Sequence, residues 1–166
     1  IGIVGFGSIG RVVSKKANAF GLKCLAYDPV LTGNEVALEG FKVPLISLDA
    51  LLSQSDAVTL HLPLLPETKG LFNKDVLSQM KPGACLINTA RGGIVDELAL
   101  AECLRSGHLG GAALDVFSGE PAKDLSHLSG IENIILTPHI AGVTHESNDR
   151  VSQMIADEVN LRSEEH

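Results

Sequence analysis

Three polar side chains suited to the chemistry of small acids stand just beyond apolar runs: Arg91, Glu120 and His139. Arg91 follows the run 85–90 and precedes two glycines, so its guanidinium lies on a turn that also brings backbone N–H groups close. A guanidinium can bind a carboxylate through two parallel hydrogen bonds, each contributing roughly 1.5–3 kcal/mol. We therefore predict that Arg91 binds a carboxylate, with an ordinary surface arginine as the alternative.

Glu120 and His139 are candidates for an acid–base pair. Glu120 precedes Pro121, and His139 follows Thr137 and Pro138 at the end of the last predicted strand. A carboxylate beside a histidine fixes the imidazole tautomer and favours its protonated form, which supports general acid–base catalysis of typically 10²–10⁴ in rate. The spacing alone does not show this pairing. A structural role remains the alternative for His139, and it is the favoured interpretation for His61, His108, His127 and His145.

An acidic residue and a glycine turn accompany these candidates. Asp115 lies late in the apolar run 112–116, and a buried acid needs a partner, so it could hold a polar edge of a cofactor. Gly5, Gly7 and Gly10 form G-x-G-x-x-G between a predicted strand and a predicted helix. Gly5 permits the tight turn, Gly7 lets the backbone approach a pyrophosphate, and Gly10 lets helix and strand pack closely. Free N–H groups at the helix start would face the pyrophosphate.

Asp28 bears on which dinucleotide would bind. It ends the second predicted strand 18 residues after Gly10, near the spacing of about 20 at which a carboxylate meets the adenosine ribose. A carboxylate there repels a 2′-phosphate, and residues 29–31 offer no cation to receive one. The pattern predicts NAD rather than NADP. A glycine turn made only for packing is the alternative, and we predict no metal site.

Strands and helices alternate along the chain. After a strand at the start we predict strands at 22–27, 57–62, 84–88, 111–116 and 134–136. The first helix carries an apolar face before a left-handed cap at Gly21, and that face comprises Ile9, Val12, Val13, Ala17 and Phe20. Further helices start near 47, span about 73–80 and start near 96, with inward residues Leu48, Leu51, Leu52, Leu100, Cys103 and Leu104.

The strands are apolar throughout, which is typical of a parallel sheet with helices on both faces. We predict a Rossmann-type doubly wound α/β fold with three layers, α/β/α. An amphipathic helix follows, with Val151, Met154, Ile155 and Val159 on one face. Because a strand is already running at residue 1, we expect residues 1–166 to be one domain of a longer protein.

Composition limits the class of protein. The chain has 166 residues, a formal net charge of −7 and 45% hydrophobic residues, which fits one globular domain. The sequence has no run of Lys and Arg that could bind nucleic acid and no apolar run long enough to span a membrane. We therefore expect the protein to bind neither nucleic acid nor a membrane. An odd number of cysteines without C-x-x-C, namely Cys24, Cys85 and Cys103, predicts buried reduced thiols and a cytoplasmic location.

Taken together, the motifs resemble those of the D-isomer-specific 2-hydroxyacid dehydrogenases. The resemblance covers nearly the whole chain, in order: the glycine turn with Asp28, the run 61–70, the run 88–97, the run 113–117 with Glu120 and Pro121, and the run 137–142. It is strongest to the phosphoglycerate dehydrogenase branch, with sulfolactate, lactate and hydroxypyruvate/glyoxylate enzymes as neighbours.

The resemblance implies a role for each candidate. Arg91 would bind the substrate carboxylate and polarise its 2-oxo group, His139 would donate and accept the proton, and Glu120 would be its carboxylate partner. Asp115, with the Thr89 and Ala90 backbone, would line the nicotinamide. The rest of the NAD site would comprise Gly5, Gly7, Ser8, Ile9, Gly10, Asp28, the Leu62 backbone, Ala141 and Gly142, and Arg91 and His139 would also bind the cofactor. Related formate dehydrogenases carry glutamine where Glu120 stands, so formate is disfavoured.

The family places this domain beside a substrate domain that residues 1–166 do not include. We therefore expect the chain alone to bind NAD but to turn over poorly. A homodimer is implied by the resemblance. Two alternatives remain: an NAD-sensing corepressor of the same fold, and a methyltransferase that uses S-adenosylmethionine, which would have no need of Arg91, Glu120 and His139.

Overall fold

The computed structural model describes residues 1–122 and 124–164. Six parallel strands form the main sheet: β1 Gly2–Val4, β2 Leu25–Tyr27, β5 Ala57–Leu60, β6 Cys85–Asn88, β7 Gly111–Leu114 and β8 Ile134–Leu136. A separate antiparallel hairpin pairs β3 Glu35–Leu38 with β4 Phe41–Pro44. The helices are α1 Ser8–Ala19, α2 Leu48–Gln54, α3 Lys74–Ser78, α4 Glu97–Arg105 and α5 His145–Glu164, with a 3₁₀ turn at Ser126–Leu128.

The strand order is β2-β1-β5-β6-β7-β8. The chain first moves from β1 to β2 and then returns past β1 to β5, after which every connection runs in one direction. Because such crossovers are right-handed, α1 lies on one face of the sheet and α2, α3 and α4 lie on the other. The doubly wound parallel sheet is therefore confirmed. The direction reverses between β1 and β5, and ligands bind beyond the carboxyl ends of strands at such a point.

The two faces of the sheet are covered unequally. On one face, Leu51, Leu77 and Leu100 pack on the strands in the main hydrophobic cluster. On the other, α1 covers the β1 end, whereas Ile87 of β6 is half-buried and Ile135 of β8 is 67% exposed. The expectation of helices over both faces thus holds for only part of the sheet among the described residues.

The predicted inward face of α1 is correct only at Ala17, which is buried, and at Val13, which packs partly buried against the cluster that contains Phe6 and Val43. Ile9, Val12 and Phe20 are exposed, and the buried residues are Gly10, Ser14 and Ala17. A Cβ on Gly10 would lie 2.3 Å from the Gly5 carbonyl oxygen, so the helix approaches the chain more closely there than any side chain permits. Close approach selects a stripe of small residues, which hydrophobic periodicity does not indicate.

The hairpin of β3 and β4 was not predicted. Val36 and Leu38 of β3 and Phe41 and Val43 of β4 pack with Phe6 of the glycine turn in a second hydrophobic cluster. The two strands are joined by a two-residue turn in which Gly40 has φ +83°. This period-2 alternation around a turn ending in glycine was the signal that sequence reasoning missed.

Most other helices and strands begin and end within a few residues of the positions predicted from the sequence. Ser47, Asn73 and Asp96 each cap a helix by accepting a backbone N–H. β2 is shorter than expected because residues 22–24 lie outside it.

Helix α5 is present, but the four residues of its predicted apolar face are exposed: Val151, Met154, Ile155 and Val159. Among the three free cysteines only Cys103 is buried, whereas Cys24 and Cys85 are half-buried. No helix within the described ranges is long and apolar enough to cross a membrane.

Helix α4 offers a test of the core. Leu100 is fully buried, so Leu100→Ala should lower the free energy of unfolding by about 2–5 kcal/mol through lost packing and a residual cavity. Leu98 is two residues earlier and 64% exposed, so Leu98→Ala should change it by about 0.5 kcal/mol or less. Urea denaturation measures both variants, and equal losses would contradict this assignment of the core.

Candidate functional site

A cavity of about 500 Å³ opens at the point where the chain reverses direction in the sheet. Five residues predicted for the coenzyme line it: Gly5, Gly7, Ser8, Asp28 and Leu62. Backbone hydrogen bonds between β1, β2 and β5 continue past the strand ends to this cavity. The Gly5 N–H donates to the Tyr27 carbonyl at 2.8 Å, and the His61 N–H donates to the Val4 carbonyl at 2.7 Å. Three neighbouring strands thus deliver their loops to one cavity.

The glycines of the turn are required by geometry. Gly5 has φ +91°, and a Cβ there would lie 2.6 Å from the His61 carbonyl oxygen. Gly7 has no heavy atom within 4 Å of an added Cβ, so its open side faces free space rather than protein. Gly5 therefore makes the tight turn, Gly10 allows helix and strand to pack closely, and the backbone at Gly7 is open to a ligand.

The N-terminus of α1 has the features of an anion-binding site. Gly7 is its N-cap and supplies no side-chain hydrogen bond, and no acidic residue lies in the first turn. The first N–H groups of a helix lack intrahelical partners and carry partial positive charge. This uncapped helix start beside an open glycine fits the diphosphate of a dinucleotide.

Asp28 holds the glycine turn. Its Oδ2 accepts the Phe6 N–H at 2.8 Å, and its Oδ1 accepts the Val30 N–H at 3.0 Å. A carboxylate has about four acceptor positions, so two remain for ribose hydroxyls. Arg11, which the spacing did not single out, also lines the cavity, and its Nε donates to the Phe6 carbonyl at 3.2 Å. The backbone N–H and the backbone carbonyl of Phe6 are therefore both hydrogen-bonded to side chains.

His61 lines the same cavity as a neutral group. Burial lowers the pKa of His61, and its Nε2 lies 3.1 Å from Thr59 Oγ1. Its imidazole therefore adds no positive charge near the diphosphate position at neutral pH.

Asp115 anchors the turn that carries His139. The side chain is buried, with 3% exposed, and accepts hydrogen bonds from Thr137 Oγ1 at 2.6 Å and from the amides of Ile140 and Ala141 at 2.9 Å each. Burial opposes ionisation, but these donors outweigh it and lower the pKa of the Asp115 carboxyl. The carboxylate is thus ionised and committed to the turn. Thr137 is a functional partner that sequence reasoning had not assigned.

His139 and Glu120 form the predicted pair. Nδ1 of His139 lies 2.5 Å from Glu120 Oε2, and Glu120 Oε1 accepts the Phe117 N–H at 2.9 Å. The Phe117 amide and the His139 side chain lower the pKa of Glu120. Because the ionised carboxylate only accepts, Nδ1 carries a proton, which leaves Nε2 of His139 available to a ligand. His139 has φ +56°, a left-handed conformation uncommon outside glycine and typical of functional turns.

Arg91 is presented on a turn stabilised by Asn88. The buried amide of Asn88 accepts the Ala90 N–H at 3.0 Å and donates to the Arg91 carbonyl at 3.1 Å. Nη1 of Arg91 donates to the Ala90 carbonyl, and the side chain is exposed. A buried amide at the end of an apolar strand was the available signal for Asn88.

The Arg91 turn is in close contact with the loop that carries Glu120. A Cβ on Gly92 would lie 1.7 Å from the Phe117 carbonyl oxygen, so the two backbones touch. Phe117 in turn donates to Glu120, which pairs with His139. One chain of contacts therefore joins all three predicted catalytic residues. A further cavity of about 420 Å³ adjoins the pair, with largely apolar lining from residues such as Leu125, Leu136 and Pro121.

The other candidates are placed less directly. Ala90 is buried in the Arg91 turn, and Thr89 beside it is exposed. Ala141 contacts Asp115 through its amide, whereas Gly142 is exposed with open space around it. The Ile9 side chain is exposed outside the cavity lining, so only its backbone can serve a ligand there.

A doubly wound sheet with this glycine turn and with Asp28 at the end of β2 is a dinucleotide-binding domain. The family model for "D-isomer specific 2-hydroxyacid dehydrogenase, NAD binding domain" matches residues 1–141. The chain therefore belongs to this family of NAD-binding domains, as its resemblance predicted, and related structures contain NAD or NADPH. It is a family of oxidoreductases that act on small hydroxy and oxo acids.

Two curated relatives and one solved structure illustrate the match. The chain is 50% identical over 159 residues to (S)-sulfolactate dehydrogenase of Chromohalobacter salexigens, covering 96% of this chain and 51% of that protein. It is 44% identical over 161 residues to D-3-phosphoglycerate dehydrogenase of Mycobacterium leprae, covering 97% and 30%. The NAD-complexed D-isomer specific 2-hydroxyacid dehydrogenase of Lactobacillus delbrueckii ssp. bulgaricus matches with a TM-score of 0.84 and 32% identity, covering 98% of this chain and 52% of that one. The chain thus spans about half the length of such relatives, or less.

The Asp115 contacts predict a pH-dependent contribution to stability. Because the folded-state pKa of Asp115 is lowered, its contribution is present above the unfolded pKa of about 3.9 and is lost as pH falls through the folded value. Asp115→Asn should cost about 1.5–3 kcal/mol at pH 7. The difference from wild type should shrink below about pH 4. Urea unfolding without coenzyme measures the free energy of unfolding of both proteins. Thr137→Val, which removes only one of the hydrogen bonds to Asp115, should give a smaller loss. Equal stability of Asp115→Asn and wild type at pH 7 would contradict the anchoring role.

The contact at Gly92 predicts a loss of alignment. Gly92→Ala must push the Arg91 turn away from Phe117, and displacement by about 1 Å can cost on the order of 100-fold in rate. We expect kcat/KM of the full-length protein, measured by steady-state NADH oxidation, to fall by about that factor. An unchanged kcat/KM would show that the two loops need not touch.

Proposed function

We propose that residues 1–166 form the NAD-binding domain of an NAD-dependent D-2-hydroxyacid dehydrogenase, and that the substrate domain lies in another part of the protein. The observation that carries this proposal is the His139–Glu120 pair, held beside the anchored Asp115 turn and linked through Phe117 to the Arg91 turn. The named relatives are dehydrogenases, which favours an enzyme over the NAD-sensing corepressor.

The chain's residues support a proton and hydride transfer. Arg91 binds the substrate carboxylate and polarises the oxygen at C2. Nε2 of His139 takes the C2 hydroxyl proton during oxidation and returns it during reduction, while Glu120 holds the ring through Nδ1. A bound nicotinamide supplies the acceptor for the hydride that leaves C2, which yields a 2-oxo acid.

The coenzyme is held mainly by backbone groups. The amides at Ser8 and Ile9 receive the diphosphate at the start of α1, and Asp28 receives the adenosine ribose hydroxyls. Gly5, Gly7, Gly10 and Leu62 shape the cavity around them. The nicotinamide end would lie along Thr89 and Ala90, beside the Ala141–Gly142 turn that Asp115 anchors. The negative charge of Asp28 favours NAD over NADP, whose 2′-phosphate it would repel.

For the substrate we propose a 2-hydroxy acid of the phosphoglycerate or sulfolactate type, on the strength of the two curated relatives. Groups that read the C3 substituent would lie in the substrate domain. We further propose a homodimer and a cytoplasmic location, the latter consistent with the three unpaired cysteines.

Turnover of 2-oxo acids tests this function. The full-length protein should oxidise NADH with at least one of 3-phosphohydroxypyruvate, 3-sulfopyruvate, hydroxypyruvate, glyoxylate or pyruvate, with little activity toward formate in the presence of NAD. His139→Asn, which tolerates the left-handed backbone, should lower kcat by about 10²–10⁴ and leave NADH binding intact. NADH binding without turnover of any acid would favour the corepressor class instead.

A further inference from the structure

Glu97, outside the predicted site, holds the loop that carries Glu120. It is the first residue of α4, and its side chain is only 11% exposed. Its Oε1 accepts the Ser118 N–H at 2.7 Å, and its Oε2 lies 3.1 Å from Nε2 of His127, whose side chain is 21% exposed. Both carboxylate oxygens are therefore engaged with the segment that follows β7.

The Glu97 contact is adjacent to the catalytic pair. The Ser118 N–H donates to Glu97, and the preceding amide, the Phe117 N–H, donates to Glu120. Two carboxylates thus hold consecutive amides of one loop, one from α4 and one from the loop itself. Because Glu120 also pairs with His139, a shift at Ser118 is transmitted directly to the imidazole.

His127 secures the other end of the same segment. Its ring meets Glu97, and its carbonyl accepts a hydrogen bond from Arg105 Nη2 at 2.7 Å. Lys69 and Asp96 line the small cavity beside this cluster, and Asp124 lies near His127. Helix α4 therefore binds the loop at Ser118 and at His127, on both sides of Glu120.

We propose that Glu97 is a positioning residue for the Glu120–His139 pair, acting by holding the Ser118 amide and His127 against the start of α4. This inference rests on the proposed function. The role depends on the reach of the side chain rather than on its charge, since hydrogen-bond geometry fixes the loop.

Reach and charge can be separated by two conservative variants. Glu97→Gln keeps an oxygen for the Ser118 N–H and presents an NH2 donor to His127, whose Nε2 accepts it once the imidazole proton is on Nδ1. Glu97→Asp keeps the charge but is one methylene shorter. In the full-length protein we expect Glu97→Ala and Glu97→Asp to lower kcat on the order of ten-fold or more, with Glu97→Gln near wild type. The NADH dissociation constant should stay within about two-fold in all three variants, because the glycine turn lies elsewhere.

The control is Glu102→Gln on the same helix. Glu102 forms an exposed ion pair with Lys74, and its loss should leave kcat unchanged. If Glu97→Asp retains activity and Glu97→Gln loses it, charge rather than reach matters and the proposal is wrong. Wild-type kcat in Glu97→Ala would also overturn it.

A second measurement needs no substrate. Hydrogen exchange of the Ser118 amide and the ¹⁵N signal of His139 Nδ1, recorded by NMR on the NADH-bound protein, should change in Glu97→Ala and Glu97→Asp and be restored in Glu97→Gln. If these signals respond as expected but no acid is turned over by wild type, the proposed function fails and the positioning role stands. If wild type is active and the signals do not respond, only the positioning role fails.

Discussion

A carboxylate cannot be buried without strong hydrogen-bond partners, and this constraint shapes the reactive end of the sheet. Asp115 satisfies it with donors from Thr137, Ile140 and Ala141, which flank His139 on both sides. Satisfying the buried carboxylate therefore closes the whole turn and holds His139 at its left-handed φ. The position of the imidazole thus depends on Asp115, the residue that directly follows β7, as well as on its own segment.

Absent side chains impose the second constraint. At Gly5, Gly10 and Gly92 the backbone approaches other carbonyl oxygens so closely that no Cβ fits. Close approach brings rigid N–H groups and turns to fixed positions, which long side chains achieve only with a loss of rotamer freedom. The alignment of the Arg91 turn with the Glu120 loop and the proposed recognition of the coenzyme by backbone groups both depend on such close approach.

The elements that sequence reasoning predicted well are those with local signatures. The glycine turn, Asp28 and the strand–helix alternation follow from motif spacing and periodicity, and the caps at Ser47, Asn73 and Asp96 follow from residue type. The predicted inward face of α1 was wrong at Ile9, Val12 and Phe20, because a close backbone contact at Gly10 rather than hydrophobicity alone sets the rotation of the helix. The contact of Glu97 with Ser118 and His127 joins segments far apart in the chain, and no local pattern indicates it.

The distribution of contacts also explains why this half of the molecule carries little information about which acid is bound. In the proposed function, the guanidinium of Arg91 binds the carboxylate and the imidazole of His139 contacts the C2 oxygen, and all 2-hydroxy acids share both groups. Discrimination requires different interaction energies with the substituent that differs, at C3. Relatives named for sulfolactate and for phosphoglycerate are accordingly 50% and 44% identical to this chain. A region that contacts only the common atoms can be retained while the acid changes.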